Sequence, residues 1–286
     1  MTPSRDDAIL LLGAGRMGAA LLRGWLAQGV AGRSITVLDP NPAPDLLALA
    51  GDAGVRLNPA ETGAADILVV AVKPQLVAQA APAVQPWLSA DTLVVSIMAG
   101  KTLADLRALF PTAGSHVRAM PNLPAAVGRG ATVAVAPPGT PGAAIERSHR
   151  LLTAVGGLEW LEDEALVDAA TAVSGSGPAY VFYMVECLTR AGTEAGLPPG
   201  IAERLARATV EGAGAMLGAT GQPAADLRGN VTSPGGTTQA GLSVLMAGGT
   251  MQALLSDTVR AAAARARELG GTAPAAPAVA APSTGA

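Results

Sequence analysis

The sequence predicts a doubly wound α/β domain followed by an all-helical one, and three observations predict it. From residue 8 to about 160, short apolar runs alternate with helical patterns, the signature of successive strand–helix–strand units. The run at 66–72 (DILVVAV) is apolar almost throughout, as a central parallel strand covered on both faces must be. Beyond residue 162 helical periodicity dominates, broken by Gly175, by Gly196-Leu197-Pro198 and by Ser233-Pro234-Gly235-Gly236.

Taken in order, 8–12 is a buried strand, 17–28 a helix that stops at Gly29, and 34–38 a second strand closed by Asp39-Pro40. A short helix at 45–51 follows. Further strands are expected at 66–72, 92–97, 116–120, 132–136 and 158–161, with helices at 74–88, 102–110 and 142–154 between them. The second domain reads as helices at 164–174, 177–195, 199–217, 224–231, 237–246 and 249–269. The expected division is therefore 1–162, 163–270 and a low-complexity Ala/Pro tail, 271–286, read as disordered.

Composition narrows the function classes. A chain of 286 residues, 50% apolar, can bury a sizeable core. Aromatics are only 2%, so that core is built from small and branched aliphatic groups. A net charge of −3 with no basic run argues against a general phosphate-backbone binder, so no nucleic-acid partner is expected. One cysteine, Cys187, cannot form a disulfide within the chain and suits a reducing compartment. No apolar run reaches the roughly 18–20 residues of a membrane span. The opening stretch carries Asp6 and Asp7 where a secretory signal needs positive charge, so the expected location is cytoplasmic.

The chemistry begins at Gly13-Ala14-Gly15-Arg16-Met17-Gly18, a G-x-G-x-x-G motif that follows a strand and opens a helix. Gly13 permits the tight turn, Gly15 lets the backbone approach a pyrophosphate, and Gly18 allows close helix–strand packing. The helix N-terminus then offers unpaired N–H groups to the anion. The bland alternative is a glycine turn with no ligand. Strand, helix, next strand and a terminal acid fall in register here, which favours a Rossmann-type dinucleotide site for NADH or NADPH. Asp39 is that terminal acid. A carboxylate there accepts from ribose hydroxyls and repels a 2′-phosphate, which favours NADH; its other reading is an Asp-Pro turn cap.

Other segments stand out. Val72-Lys73-Pro74-Gln75 ends the strongest strand, at the carboxyl edge where such sheets hold ligands, although an ordinary solvated lysine is as good a reading of Lys73. Met120-Pro121-Asn122 ends another strand on that edge. SGSGPAY at 174–180 and VTSPGGTT at 231–238 are glycine and hydroxyl turns that open helices. Each is either a capped helix start or an anion nest, and two of them suggest a substrate carboxylate. His116 and His149 lack partners at metal-ligand spacing, so no metal is expected.

Together these segments resemble the pyrroline-5-carboxylate reductases over roughly residues 8–270. The resemblance implies hydride transfer from NAD(P)H to the C=N carbon of 1-pyrroline-5-carboxylate, giving L-proline, the last step of proline synthesis. It implies a Rossmann domain followed by a helical dimerisation domain, with dimers that often assemble into decamers. On this sequence the family's substrate turn falls on Ser233, Gly235, Gly236, Thr237 and Thr238, with Met120 nearby. Backbone N–H groups of 235–238 would take the carboxylate, and the Thr238 hydroxyl would orient the imine nitrogen or relay a proton. The family's cofactor contacts fall on the 13–18 loop, Asn58, Val72, Lys73, Pro74, Ala99 and Gly100, with Asn58 near the adenosine ribose. The pattern alone reads Asn58 as a turn residue before Pro59.

Three positions depart from the family pattern: Leu123 replaces a usual threonine, Met246 a common acid and Ala208 a usual glutamine. A hydroxyacid dehydrogenase shares the architecture but needs a lysine soon after Gly175-Ser176-Gly177, where Pro178, Ala179, Tyr180 and Val181 stand. A nucleotide-binding regulatory protein without turnover is opposed by the intact glycines and hydroxyls at 233–238.

Overall fold

The computed structural model describes residues 7–271, so most of the expected tail lies outside the described residues. The chain forms two compact units. One comprises Met1–Gly175 with Ala262–Ala286, the other Ser176–Ala261.

The first unit carries an eight-stranded sheet among the described residues. Its elements run β1 (Ile9–Leu12), α1 (Arg16–Ala27), β2 (Ile35–Leu38), α2 (Pro44–Ala53), β3 (Arg56–Leu57), β4 (Ile67–Val70), α3 (Val77–Val84), β5 (Leu93–Ser96), α4 (Leu103–Leu109), β6 (Ser115–Met120), β7 (Gly130–Val135), α5 (Gly142–Thr153), β8 (Gly156–Trp160) and α6 (Val167–Ala170). The strand order is β3-β2-β1-β4-β5-β6-β7-β8. Neighbours are parallel except β6 and β7, which run antiparallel. Only a 3₁₀ turn, Leu123–Val127, separates those two strands, too little chain for the crossover that a parallel pair needs.

Alternation along the central strands β1, β4 and β5 feeds two cores. Ile9, Leu11, Ile67, Val69, Leu93 and Val95 join Leu21, Leu22 and Trp25 on one face. Leu10, Leu12, Leu68, Val70 and Val94 join Val77, Leu106 and Phe110 on the other. Trp25 Nε1 donates to the Leu151 carbonyl at 2.9 Å, which satisfies the one polar atom of a buried indole. His116 Nε2 lies 3.1 Å from the Phe110 carbonyl oxygen. Burial pushes its pKa down, and Arg107 acts in the same direction, against the Phe110 carbonyl.

Several expectations are corrected. The compact units divide at 175/176, so the helical segment after residue 162, expected with the second domain, is folded with the first unit, as are residues from Ala262. The reason is tertiary. Glu164 accepts from the Leu103 N–H and from Arg118 Nη1, both at 2.8 Å, and Val167 is buried in the core that also holds Phe110. The single helix expected at 164–174 is instead a 3₁₀ turn (Glu164–Leu166), α6, and a π-helical turn (Thr171–Gly175). The helix expected at 74–88 shortens to α3, because a turn closes from Leu76 N–H to the Lys73 carbonyl before it and Pro86 interrupts donation after it. The strand β3 has no apolar run to announce it: it is two residues long and Arg56 is exposed.

The second unit contains α7 (Gly177–Glu194), α8 (Pro199–Thr220), α9 (Ala224–Asn230), α10 (Thr237–Met246) and much of α11 (Thr250–Leu269). α7 and α8 approach closely where both are small: a Cβ added at Gly192 would sit 3.4 Å from the Ala202 Cβ. Of its described residues only Ala202 and Ala206 are buried, while Phe182, Tyr183, Leu205, Val244 and Leu254 are exposed. No helix among the described residues is long and apolar enough to cross a membrane.

Candidate active site

The order of strand addition reverses at β1: β2 and β3 are laid on one side of it, β4 and β5 on the other, all parallel. The strand ends are level: Leu12 pairs with both Leu38 and Val70, and Val70 pairs with Ser96. The segments that follow β1, β2, β3, β4 and β5 therefore emerge on one carboxyl edge around a topological switch point, where open α/β sheets bind ligands. Gly13–Gly18, Asp39, Asn58, Val72–Pro74 and Ala99-Gly100 all lie along it.

The glycines divide the work as the motif predicts. Gly13 has φ +86°, and a Cβ there would stand 2.7 Å from Val72 Cγ1. A Cβ on Gly18 would stand 2.3 Å from the Gly13 carbonyl oxygen, so α1 can pack here only with glycine. Gly15 is the N-cap of α1 and has nothing within 4 Å of an added Cβ. That open face, beside first-turn N–H groups, fits a pyrophosphate. A cavity of about 320 Å³ adjoins it, lined by Ala14, Gly15, Arg16 and Met17 and by Arg23 and Asp45, which form an ion pair.

Asp39 lies at the head of this loop. Its Oδ2 accepts from the Ala14 N–H at 2.8 Å and its Oδ1 from the Asn41 N–H at 2.9 Å. Asn58 grips the Asp39 backbone from both sides: its Oδ1 accepts from the Asp39 N–H at 2.9 Å, and its Nδ2 donates to the Asp39 carbonyl at 2.7 Å. Asn58 holds φ +45°, the one described non-glycine residue with positive φ. The turn-cap reading of Asp39 and its place beside the glycine loop thus coexist.

Lys73 is exposed. Gly100 has φ +71°, and an added Cβ would meet the Leu269 carbonyl oxygen at 2.9 Å, so this glycine admits the end of α11. Met120 ends β6, and its Cε would lie 3.7 Å from a Cβ on Gly175. Asn122, buried, spans two segments. Its Nδ2 donates to the Ser174 carbonyl at 2.9 Å and its Oδ1 accepts from the Ala131 N–H at 2.8 Å. The Met-Pro-Asn motif alone does not reveal this role of Asn122. Arg118 is a buried arginine in an apolar strand, 2.8 Å from Glu164 and 3.7 Å from Asp168, and the sequence pattern does not single it out. A lone charge inside a strand pattern was the available signal.

The other candidates lie in the second unit. Gly235 has φ +70° and gives its N–H to Gln239 Oε1 at 2.6 Å. Gly236 donates to the Ser233 carbonyl at 3.0 Å, and a Cβ on it would reach Ser233 Oγ at 2.7 Å. The expected nest of four N–H groups is corrected accordingly. Two are taken within the turn, and the first-turn donors of Thr237 and Thr238 remain outside the α10 ladder. Both threonines are exposed.

A family model described as pyrroline-5-carboxylate reductase dimerisation matches residues 164–269. A second, described as NADP oxidoreductase, coenzyme F420-dependent, matches residues 8–100. A pyrroline-5-carboxylate reductase of Pseudomonas aeruginosa is 40% identical, over 91% of this chain and 96% of its own. A solved pyrroline-5-carboxylate reductase from Coxiella burnetii superimposes with a TM-score of 0.83 at 33% identity, covering 92% of this chain and 98% of its own. The Plasmodium falciparum pyrroline carboxylate reductase, solved with NADP bound, has a TM-score of 0.74 at 25% identity, covering 94% and 100%.

Proposed function

The chain belongs to the pyrroline-5-carboxylate reductase family, and from that membership we propose how its residues carry out the reaction. It is an NAD(P)H-dependent reductase that converts 1-pyrroline-5-carboxylate to L-proline, the last step of proline synthesis. When bound, NAD(P)H supplies the hydride that adds to the C=N carbon; the ring nitrogen takes a proton.

The observation that carries the assignment of roles is the open face of Gly15 beside the α1 N-terminus, at the switch point of the sheet. Gly13, Ala14, Gly15, Arg16, Met17 and Gly18 would hold the pyrophosphate. Val72, Lys73, Pro74, Ala99 and Gly100 would flank the nicotinamide half, and Asp39 and Asn58 the adenosine half. The N–H groups of Thr237 and Thr238 would receive the substrate carboxylate without any arginine. Ser233, Gly235 and Gly236 shape that turn, with the Gly235 N–H released if Gln239 swings away, and Met120 lines the substrate side. The Thr238 hydroxyl is too weak an acid to protonate the imine unaided. It orients the nitrogen and relays a proton from water, so catalysis is mainly positioning.

The helical unit self-associates. Its dimers would build a decamer, and the enzyme would work in the cytoplasm.

Steady-state kinetics with 1-pyrroline-5-carboxylate and each reduced cofactor test this reading. L-proline should form in step with cofactor oxidation; binding without turnover would overturn it. Thr238→Ala should lower kcat roughly 10- to 100-fold, the loss of one hydrogen bond worth about 1.5–3 kcal/mol. An unchanged kcat removes Thr238 from the mechanism.

A further inference from the structure

We propose that Asp39, held in place by Asn58, makes this enzyme select NADH over NADPH; the inference rests on the cofactor site assigned above. The general expectation is that an acid at the end of the second strand meets the adenosine ribose. The structure adds that this acid is immobilised. One carboxylate oxygen is bound to the glycine loop through the Ala14 N–H, the other to the Asn41 N–H. A carboxylate anchored through both oxygens cannot rotate out of the way of an incoming group. Each oxygen still has a lone pair for a ribose hydroxyl.

Asn58 fixes the other half of the geometry. Its side chain bonds both the N–H and the carbonyl of Asp39, and it adopts φ +45° to do so, a region that few non-glycine residues occupy. Asn58 is thus a positioning residue, acting through Asp39.

The surrounding charges point the same way. Residues 40–46 contain no lysine or arginine, and Asp45 adds a second acid. Arg23, which lines the adjoining cavity, is already paired with Asp45. Arg56 pairs at the level of Thr36, below the edge, and Arg16 belongs to the loop assigned to the pyrophosphate. A 2′-phosphate, carrying nearly two negative charges, would meet a fixed carboxylate with no cation supplied by this loop. Specificity of this kind comes from a built-in repulsion more than from an added attraction.

Binding of NADH and NADPH to the full-length enzyme is measured by calorimetry without substrate, so the result stands apart from whether turnover occurs. The wild type should bind NADH at least about tenfold more tightly, a difference of about 1.4 kcal/mol. Asp39→Ser should cut the NADH/NADPH affinity ratio roughly 10- to 100-fold, losing NADH affinity and gaining NADPH affinity. Asp39→Asn, which keeps the size and one acceptor, should shift the ratio the same way, and Asn58→Ala should shift it less. A wild type that binds NADPH as tightly as NADH overturns the proposal. So does a parallel fall of both affinities in the two Asp39 variants, which would leave Asp39 only a turn cap. Melting temperatures identify any variant that fails to fold, and the wild-type ratio decides in that event.

Discussion

In the sheet unit Leu10, Leu11, Leu68 and Val94 are sealed from solvent, and the central strands β1, β4 and β5 each serve two cores. In the helical unit only Ala202 and Ala206 among the described residues are buried, while Phe182, Tyr183 and Leu254 are more than half exposed. One unit completes its core within a single chain. The other leaves apolar helix faces uncovered within the chain, and helices of this kind are held by packing more than by intrinsic propensity. Its match to a reductase dimerisation model accords with self-association of this unit.

The contrast can be attacked directly. The largest effect should come from Phe182→Glu combined with Leu254→Glu. Charge on the exposed helical faces should leave a monomer in sedimentation at micromolar concentration and lower turnover by roughly 100-fold or more. An undiminished dimer would show that these faces are not what joins the copies. Leu68→Glu, in the sheet unit, should instead unfold the chain at any concentration.

Within the sheet unit, two neighbouring glycines should behave differently. Gly13→Ala forces a side chain into positive φ and against Val72, and should cost about 2–3 kcal/mol in urea unfolding. Gly15→Ala has open space and extended backbone, so its midpoint should hold while the cofactor KM rises roughly tenfold. Equal losses of stability would refute the division of labour between them.

Arg118→Leu should cost about 2–3 kcal/mol, because it leaves Glu164 and Asp168 without their cation. The figure is below that for a fully buried pair because the Glu164 side chain is 29% exposed. Loosening should appear first in hydrogen exchange across 164–175, and uniform protection there would contradict the anchoring role.

The smallest effect concerns pH. The folded state depresses the His116 pKa, so the unfolded chain binds its proton more readily. Stability from this group is complete above the unfolded value of about 6.5 and is lost as pH falls through that value toward the lower folded one. His116→Gln should flatten that acidic limb of the stability profile.

The glycine motif was legible because its demands are local: an apolar strand, a turn that needs positive φ, and a helix start fall within about ten residues. The succession of strands and helices was legible for the same reason. Asn58 was not. Its pattern reads as a turn, the family resemblance places it near the ribose, and its side chain is engaged by the backbone of Asp39, 19 residues away. The segment 164–175 misled in a related way. Helical spacing describes which face is apolar but not what covers it, and here the anchor is Arg118, 46 residues back from Glu164.

From residue order alone came the α/β class, the helical second half, the Gly13–Gly18 loop and the turns at 174–180 and 231–238. Each depends on periodicity or on backbone conformations that few residue types allow. Tertiary structure decided the strand order, the antiparallel β7, the unit boundary at 175/176, and the joining of Ala14, Asp39 and Asn58. These depend on hydrogen bonds and burial that only the folded chain completes, often with partners far along the sequence.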